Sequence, residues 1–144
     1  MMIDTHVHVW WPGDGHRVLI RERLPELDAD FGFEQLEPDL APAGVGTVVL
    51  VSAAQSHAET RRLVAVAERW PDRVPGVIGF LDMDADDFER RLDEAAAARA
   101  LVGLRLPLVV FDDADWIRRP RVAVALRALA ARGLTNRSIG AELL

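Results

Sequence analysis

Apolar segments rich in β-branched residues alternate with helix-like segments along this chain, and that alternation restricts its fold more than any other feature. The run GTVVLVSAA, residues 46–54, is typical of a strand buried on both faces of a sheet. The segment after it carries Leu63, Val64 and Ala67 at helical spacing. Strands that alternate with helices form parallel sheets, so we predict an α/β fold.

The pattern occurs four times in the first 134 residues. Ser56 is the expected N-cap of the second helix, with Glu59 completing a capping box. Pro38 is expected to break or begin the first helix. The predicted strands are Met2–Val9, 46–54, 74–83 and Val102–Leu106, and the predicted helices are Phe33–Ala43, 56–70, Asp86–Ala98 and Pro120–Ala131.

The last ten residues depart from this pattern. After Leu134 the alternation requires a fifth apolar strand, but the chain continues with the polar segment TNRSIGAELL. We therefore predict one domain over residues 1–134 and a polar tail over 135–144 that forms no strand buried in the sheet. A doubly wound sheet stays open as an alternative architecture for the four units.

The opening segment MMIDTHVHVW contains the clearest candidate site. On a strand, Asp4, His6 and His8 lie on one side, and two histidines at this spacing can converge on one divalent ion. His6 and His8 also fall at the carboxyl end of the strand, where α/β sheets carry their active sites. The alternative is that these are histidines that satisfy internal hydrogen bonds, since a bare His-x-His is frequent by chance.

Other polar residues are weaker candidates. Trp10 and His16, in the loop after the first strand, could line a substrate pocket, although we favour packing for Trp10 and Trp11. We interpret His57 as an exposed first-turn residue. The acidic loop at 112–115 could suggest a cation site, but a solvated loop is the interpretation that we favour.

Composition excludes several classes of protein. The formal net charge of −6 argues against nucleic-acid or anionic-membrane partners, and we interpret the basic residues at 118–121 as a solvated helix end. The absence of cysteine excludes disulfides and thiolate sites. No apolar run approaches the roughly 18 residues of a membrane span, and no signal-peptide pattern is visible, so a cytoplasmic location is expected.

The motif DTHVH resembles the first-strand signature of the amidohydrolase superfamily. Further likeness to its amidohydrolase-related branch, which includes sugar lactonases and dicarboxylate lactonases, lies in the segment from AGVGTVVLVSAAQSHAET to VIGFLDM, in VGLRL, and in DWIRRPRVAVALRALAARGL. The resemblance covers nearly all of the chain up to Leu134, and the opening motif is its specific part.

The resemblance implies a TIM-type barrel and a hydrolase that cleaves C–O or C–N bonds, often in a lactone ring. Metal-dependent relatives hold zinc or another divalent ion through the His-x-His pair, here His6 and His8, whereas metal-independent relatives use the pair to contact substrate. Asp4 carries over as their catalytic neighbour. Arg105, in GLRL, resembles a substrate-contacting arginine, and a salt bridge at the rim is the alternative reading for it.

A complete barrel needs eight βα units and about 250 residues, whereas this chain has four units, a half-barrel. The further metal-site histidine and the general-base aspartate of the family would come from later strands. We therefore expect a truncated chain with little or no turnover, whose open strand edges favour self-association. The alternative function is a non-catalytic half-barrel that binds a metal or a partner and assembles as an oligomer.

Overall fold

The structure, a computed structural model, describes residues 1–14, 24–106 and 115–138. Four helices and five strands form its framework, together with short 3-10 turns. The strands are β1 (Met2–Val7), β2 (Val45–Val51), β3 (Gly76–Gly79), β4 (Leu101–Leu106) and β5 (Thr135–Ser138), and the helices are α1 (Phe33–Leu40), α2 (His57–Arg69), α3 (Phe88–Ala96) and α4 (Pro120–Ala131).

The strands form one parallel sheet in which the spatial order equals the chain order, β1-β2-β3-β4-β5. Crossovers between parallel strands are right-handed, so a sheet that always advances to the next strand has all its helices on one face. A doubly wound sheet would change direction after its first strands. The predicted half of a TIM-type barrel is therefore confirmed, and the doubly wound alternative is wrong.

The helix-covered face of the sheet carries the hydrophobic core. Val48, Leu50 and Leu104 have no exposed surface, and helix side chains pack over them. The helix contributions come from residues at helical spacing on each helix, namely Phe33, Leu40, Leu63, Ala67, Phe88, Leu92, Ala95, Val122, Ala125 and Leu129. Burial of this continuous apolar layer is the main stabilising contribution to the fold.

The opposite face of the sheet would be the barrel interior, and it is more open. From Val45 to Leu50 half-buried residues alternate with buried ones, although Val51 at the end of β2 is also buried, and on β4 Val102 is 37% exposed. The prediction that residues 46–54 are buried on both faces is therefore only half correct. The physical reason is that helices cover one side of these strands, whereas on the other side Val49 and Val102 keep part of their surface exposed.

Helix boundaries agree closely with the sequence prediction at two helices. α4 spans Pro120–Ala131 as predicted, because proline is favoured in a first turn and Gly133, with a φ of +68°, supplies the left-handed conformation that ends it. Ser56 caps α2, its Oγ accepting from the backbone N–H of Glu59 at 3.3 Å. Pro38 lies inside α1 and neither breaks nor begins it.

Residues 135–138 form β5, which the sequence prediction did not include. They pair with β4 from Gly103 to Leu106, and Thr135 Oγ1 donates to the carbonyl of Val102 at 3.1 Å. The pairing uses backbone groups, so an edge strand needs no apolar side chains. We predicted no buried strand in the tail, and the structure shows that its first four residues form an edge strand. The domain boundary after Leu134 stays a prediction.

No helix in the three described segments is long and apolar enough to cross a bilayer.

Candidate functional site

The carboxyl ends of the parallel strands bring the candidate residues to one edge of the sheet. His8 follows β1, Val51 ends β2, and Arg105 is the penultimate residue of β4. Glu59 lies in the first turn of α2, directly after the loop that leaves β2. Consecutive strands of a parallel sheet thus place residues from distant parts of the sequence on one rim.

His6 and His8 converge as their spacing predicts. Their Nε2 atoms lie 3.1 Å apart, and the two rings meet edge to face with centroids 4.8 Å apart. Two nitrogens that ligate one tetrahedral ion at about 2.0–2.1 Å are themselves about 3.3–3.4 Å apart. The observed separation is that of a direct hydrogen bond between the two rings, and it is within about 0.3 Å of the spacing of two ligands of one divalent cation.

The second nitrogen of His8 determines which form of the ring is present. Nδ1 of His8 lies 2.7 Å from the carbonyl oxygen of Val51, and because a carbonyl can only accept, Nδ1 carries the proton. In the neutral ring, Nε2 then has a lone pair, which a metal ion or the N–H of His6 can use. Backbone carbonyls commonly fix the tautomer of a ligating histidine in this way.

Asp4 is not brought into this pair. Its Oδ1 accepts from the backbone N–H of His6 at 3.0 Å, a local bond that turns the carboxylate toward its own strand. Within residues 1–14, 24–106 and 115–138, no cluster of three or more His, Asp and Glu could hold a metal ion. His6 and His8 thus form a pair to which the described residues add no third His, Asp or Glu.

Arg105 lies half-buried at the same rim. Its Nη1 donates to the carbonyl of Ser52 at 2.5 Å, so this guanidinium on β4 reaches across the end of β3 to the end of β2. His8 and Arg105 therefore bind two successive carbonyls, those of Val51 and Ser52. This gives Arg105 a place beside the histidine pair, in addition to its place in the motif GLRL.

Glu59 belongs to the same rim, and the sequence analysis gave it only a capping role. Its side chain is fully buried and accepts from the backbone N–H groups of Ala53, at 3.2 Å, and Ala54, at 2.8 Å. Burial raises the pKa of this carboxyl from its ordinary 4.5 to about 7, against the opposing effect of the two N–H bonds. A Glu three residues after a helix N-cap signals a capping box, and only the fold shows that this one turns back toward β2.

The two tryptophans after β1 pack, as we favoured. The Trp10 indole lies against Phe31 with ring centroids 4.6 Å apart, and its N–H donates to the carbonyl of Leu27 at 3.1 Å. The ring of Trp11 lies under the guanidinium of Arg62, 4.8 Å from its centroid. These contacts fix the base of the loop, and a substrate contact by Trp10 stays a prediction.

The remaining candidates lie away from the histidine pair or outside the described residues. His16, Asp112 and Asp113 are outside them. His57 begins α2, where it is half-buried rather than exposed, and burial, followed by the charge of Arg61, lowers its pKa.

The basic residues at the start of α4 are paired with acidic ones. Arg118 lies 3.3 Å from Asp115, and Arg119 donates to Asp84 at 2.5 Å. Arg121 donates to Asp86 in the same acidic loop after β3. This end of the helix is thus neutralised locally, in agreement with its interpretation as a solvated helix end.

Comparison with known proteins gives a family and its relatives. A family model described as amidohydrolase matches residues 3–137. The chain is similar to an L-fucono-1,5-lactonase of Burkholderia ambifaria, with 32% identity over 132 residues, which are 92% of this chain and 45% of the lactonase. The chain thus spans about half the length of the curated relative that it matches.

Two solved structures have the same fold over about half their length. An amidohydrolase from Burkholderia multivorans with bound zinc superposes with a TM-score of 0.82 at 24% identity, covering 93% of this chain and 47% of that one. A probable 2-pyrone-4,6-dicarboxylic acid hydrolase from Acinetobacter baumannii, with citric acid bound, has a TM-score of 0.75 at 20% identity, covering 94% and 48%. At these identities the likeness is one of fold.

Proposed function

The chain belongs to the amidohydrolase family, and from that premise we propose that it supplies the first-strand part of a hydrolase site that opens a lactone ring. His6 and His8 hold a divalent cation in this proposal, and zinc is our first choice because the structurally similar amidohydrolase of Burkholderia multivorans has zinc bound. The lactone class is supported by the similarity to an L-fucono-1,5-lactonase.

One observation carries the proposal. The Nε2 atoms of His6 and His8 lie 3.1 Å apart at the carboxyl end of β1, and the carbonyl of Val51 fixes the tautomer of His8 so that Nε2 can donate its lone pair. In the absence of a metal the two nitrogens share one hydrogen bond, and a divalent cation between them would take the place of its proton. The position of this pair, at the active end of a parallel sheet, is the second support.

The reaction is the addition of water to a lactone carbonyl with cleavage of the ring C–O bond, which yields a hydroxy acid. Lewis-acid polarisation of that carbonyl, and a lower pKa for the attacking water, is the chemistry that a divalent ion supplies when bound. The residues of this chain position the ligands. Arg105 binds the anionic or hydroxylated end of the substrate, because a guanidinium suits carboxylate and hydroxyl oxygens.

Roles for three further residues complete the proposal. Asp4 holds the backbone of β1 in place through its bond to the N–H of His6, and so supports the pair from outside. His16 and Trp10 belong to the loop after β1, where they would line the mouth of the substrate site. We propose little turnover by the 144-residue chain alone, since a metal-activated water needs about three protein ligands and a base.

Isothermal titration calorimetry, in which zinc is titrated into the chain, tests the metal site. We expect one zinc ion per chain, and the His6→Ala variant should bind it at least about tenfold more weakly because one of two ligands is lost. His57→Ala is the matched control, since that histidine lies in α2, outside the pair. Equal affinity in the wild-type and His6→Ala chains would overturn the assignment.

The substrate class is tested with L-fucono-1,5-lactone and its hydroxy-acid product. Hydrolysis by the zinc-loaded chain should stay close to the uncatalysed rate, while the product should shift the backbone amide signals of residues 51–54 in a nuclear magnetic resonance titration. Arg105→Ala should abolish those shifts, and Arg61→Ala, at an exposed position of α2, should not. Shifts that are absent, or unchanged in Arg105→Ala, would contradict the lactone proposal.

A second candidate function is assembly of a non-catalytic half-barrel with another copy of itself. The observation that favours it is the exposed apolar edge of the sheet at β1, where Met2 and Ile3 are 59% and 58% exposed. An open strand edge with apolar side chains favours pairing between chains. Sedimentation should then show a concentration-dependent dimer, and a monodisperse monomer that binds no hydrophobic dye would exclude it.

A further inference from the structure

Residues 51–54, which we call the β2-end segment, connect the histidine pair, Arg105 and Glu59. The carbonyl of Val51 accepts from His8, and the carbonyl of Ser52 accepts from Arg105. The N–H groups of Ala53 and Ala54 donate to the two carboxylate oxygens of Glu59. Four successive residues thus orient three charged or titratable side chains from β1, β4 and α2.

One peptide group bridges two of these side chains directly. The carbonyl of Ser52 and the N–H of Ala53 belong to the same planar peptide unit. Arg105 Nη1 binds that carbonyl at 2.5 Å, and Glu59 Oε1 binds that N–H at 3.2 Å. Rotation of this peptide plane would break both bonds at once, so the carboxylate on one side fixes the orientation of the carbonyl on the other.

The bonds that Glu59 accepts from Ala53 and Ala54 offset part of the cost of burying its carboxylate. A buried carboxylate is costly, and its burial already raises its pKa to about 7. The start of α2 does not need this side chain, because the Ser56 hydroxyl caps the helix. Two further charged groups act on it: Asp14 raises its pKa, and Arg105 lowers it.

We propose that Glu59 is a positioning residue of the histidine site, which acts through the β2-end segment on His8 and Arg105. The carboxylate fixes the peptide groups of residues 52–54, and the preceding carbonyl of Val51 in turn holds the Nδ1–H tautomer of His8. In this arrangement the connection from Glu59 to His8 runs through the peptide groups of residues 51–54. The inference builds on the proposed function, because it assigns Glu59 to that same site.

The test uses the metal-free 144-residue chain and follows the proton on His8 Nδ1 by nuclear magnetic resonance. In the wild-type chain we expect the Nδ1–H tautomer and a slowly exchanging ring proton. Glu59→Gln has one acceptor oxygen instead of two, so at least one N–H bond is lost. Exchange of the Nδ1 proton should then become about tenfold faster, as expected for the loss of a hydrogen bond to a charged group.

Glu68→Gln is the matched control, because Glu68 is an exposed glutamate on the same helix. It should leave the His8 signals unchanged. If Glu59→Gln folds as wild type does and keeps the His8 tautomer and exchange rate, the positioning role is overturned. A merely structural role would lower the unfolding free energy without changing the ring proton in the folded chain.

The wild-type chain provides a second measurement that needs no variant. The amide signals of Ala53 and Ala54 should shift with pH in parallel with the side-chain carboxyl carbon of Glu59, and amides that do not follow this carbon would also overturn the proposal. Both readouts need neither cation nor lactone. Absence of zinc binding or lactone recognition would therefore contradict the proposed function while leaving the role of Glu59 separately measurable.

Discussion

The helix-covered face of the sheet and the carboxyl ends of its strands are stabilised by different interactions. On the helix-covered face, Leu50, Leu63 and Leu104 have no exposed surface and pack through apolar contacts alone. At the carboxyl-end rim, which comprises residues 6–8, 51–54, 79–80, Glu59, Thr60 and Arg105, side chains bind peptide groups instead. His8, Arg105, Glu59 and Thr60 each make at least one such bond.

This difference means that one region of the sheet determines its stability and another determines the orientation of the candidate site residues. Apolar packing tolerates changes of residue type as long as volume is kept, so it defines the sheet without defining a single orientation at the strand ends. Hydrogen bonds between buried side chains and peptide groups do define orientation, but they leave titratable groups in a low-dielectric setting. We therefore expect the packed face to dominate stability and the rim to dominate pH dependence.

The largest effect is expected from truncation of the packed face. Leu104→Ala removes a fully buried side chain from the core, and such changes cost about 2.7–5 kcal/mol in unfolding free energy. Val102 lies two residues earlier, at a register shift between β3 and β4 that places it beside Gly76 on the opposite face, where it is 37% exposed. Val102→Ala should therefore cost less than about 1 kcal/mol. Urea unfolding followed by tryptophan fluorescence measures both changes.

The Leu104→Ala and Val102→Ala variants also test whether the inner face of the sheet, opposite the helices, is exposed in solution. If Val102→Ala proves as costly as Leu104→Ala, then something covers the inner face, and the contrast between the two faces is wrong. A cost for Val102→Ala that grows with protein concentration would identify a second copy of the chain as the cover, since association shifts the apparent stability by mass action.

A smaller effect, with a distinct pH dependence, is expected at Glu59. Its pKa is about 7 in the folded chain and 4.5 ordinarily, so between these values the folded state holds a proton that the unfolded state has lost. The contribution of Glu59 to stability therefore falls as the pH rises from about 4.5 to 7. The loss is at most about 3.5 kcal/mol, given about 1.4 kcal/mol per pKa unit.

Unfolding measured at several pH values in wild type and Glu59→Gln isolates this contribution, because all other titrating groups are shared. Relative to wild type, the glutamine variant should gain stability as the pH rises through this window. A stability difference between the two chains that is constant with pH would mean that the pKa of the Glu59 carboxyl is the same in the folded and unfolded states. The rim would then contribute no more to the pH dependence of stability than the packed face does.

The features that could be predicted from the sequence are those determined by residues close together in the chain. Alternation located the first strand and apolar runs located the next three, and proline with a terminal glycine located α4 to the residue. The period of two along β1 brought His6 and His8 together. Each of these features depends on neighbours within one element, so no knowledge of tertiary contacts was needed.

The parts that were missed depend on contacts between distant segments. β5 forms because β4 offers backbone groups, which the side chains of residues 135–138 do not reveal. Glu59 was assigned to a capping box, yet its carboxylate binds the segment before the helix. Asp4 has the right spacing for a third ligand, but a short local bond to the N–H of His6 takes its carboxylate instead.

A loss smaller than that at Leu104 is expected at Thr60, which connects α2 to the end of β3. Its Oγ1 accepts from the N–H of Phe80 and lies 2.8 Å from the Phe80 carbonyl, to which it donates. Thr60→Val keeps the shape of the side chain but removes the hydroxyl partner of the Phe80 N–H and of the Phe80 carbonyl. It should therefore lower the unfolding free energy, measured with urea, by about 1–2 kcal/mol. Thr60→Ser is the control: it keeps the hydroxyl and should retain most of that energy. If the valine variant were no less stable than the serine variant, the rim would be held by packing as the helix-covered face is, and the contrast between the two would not hold at β3.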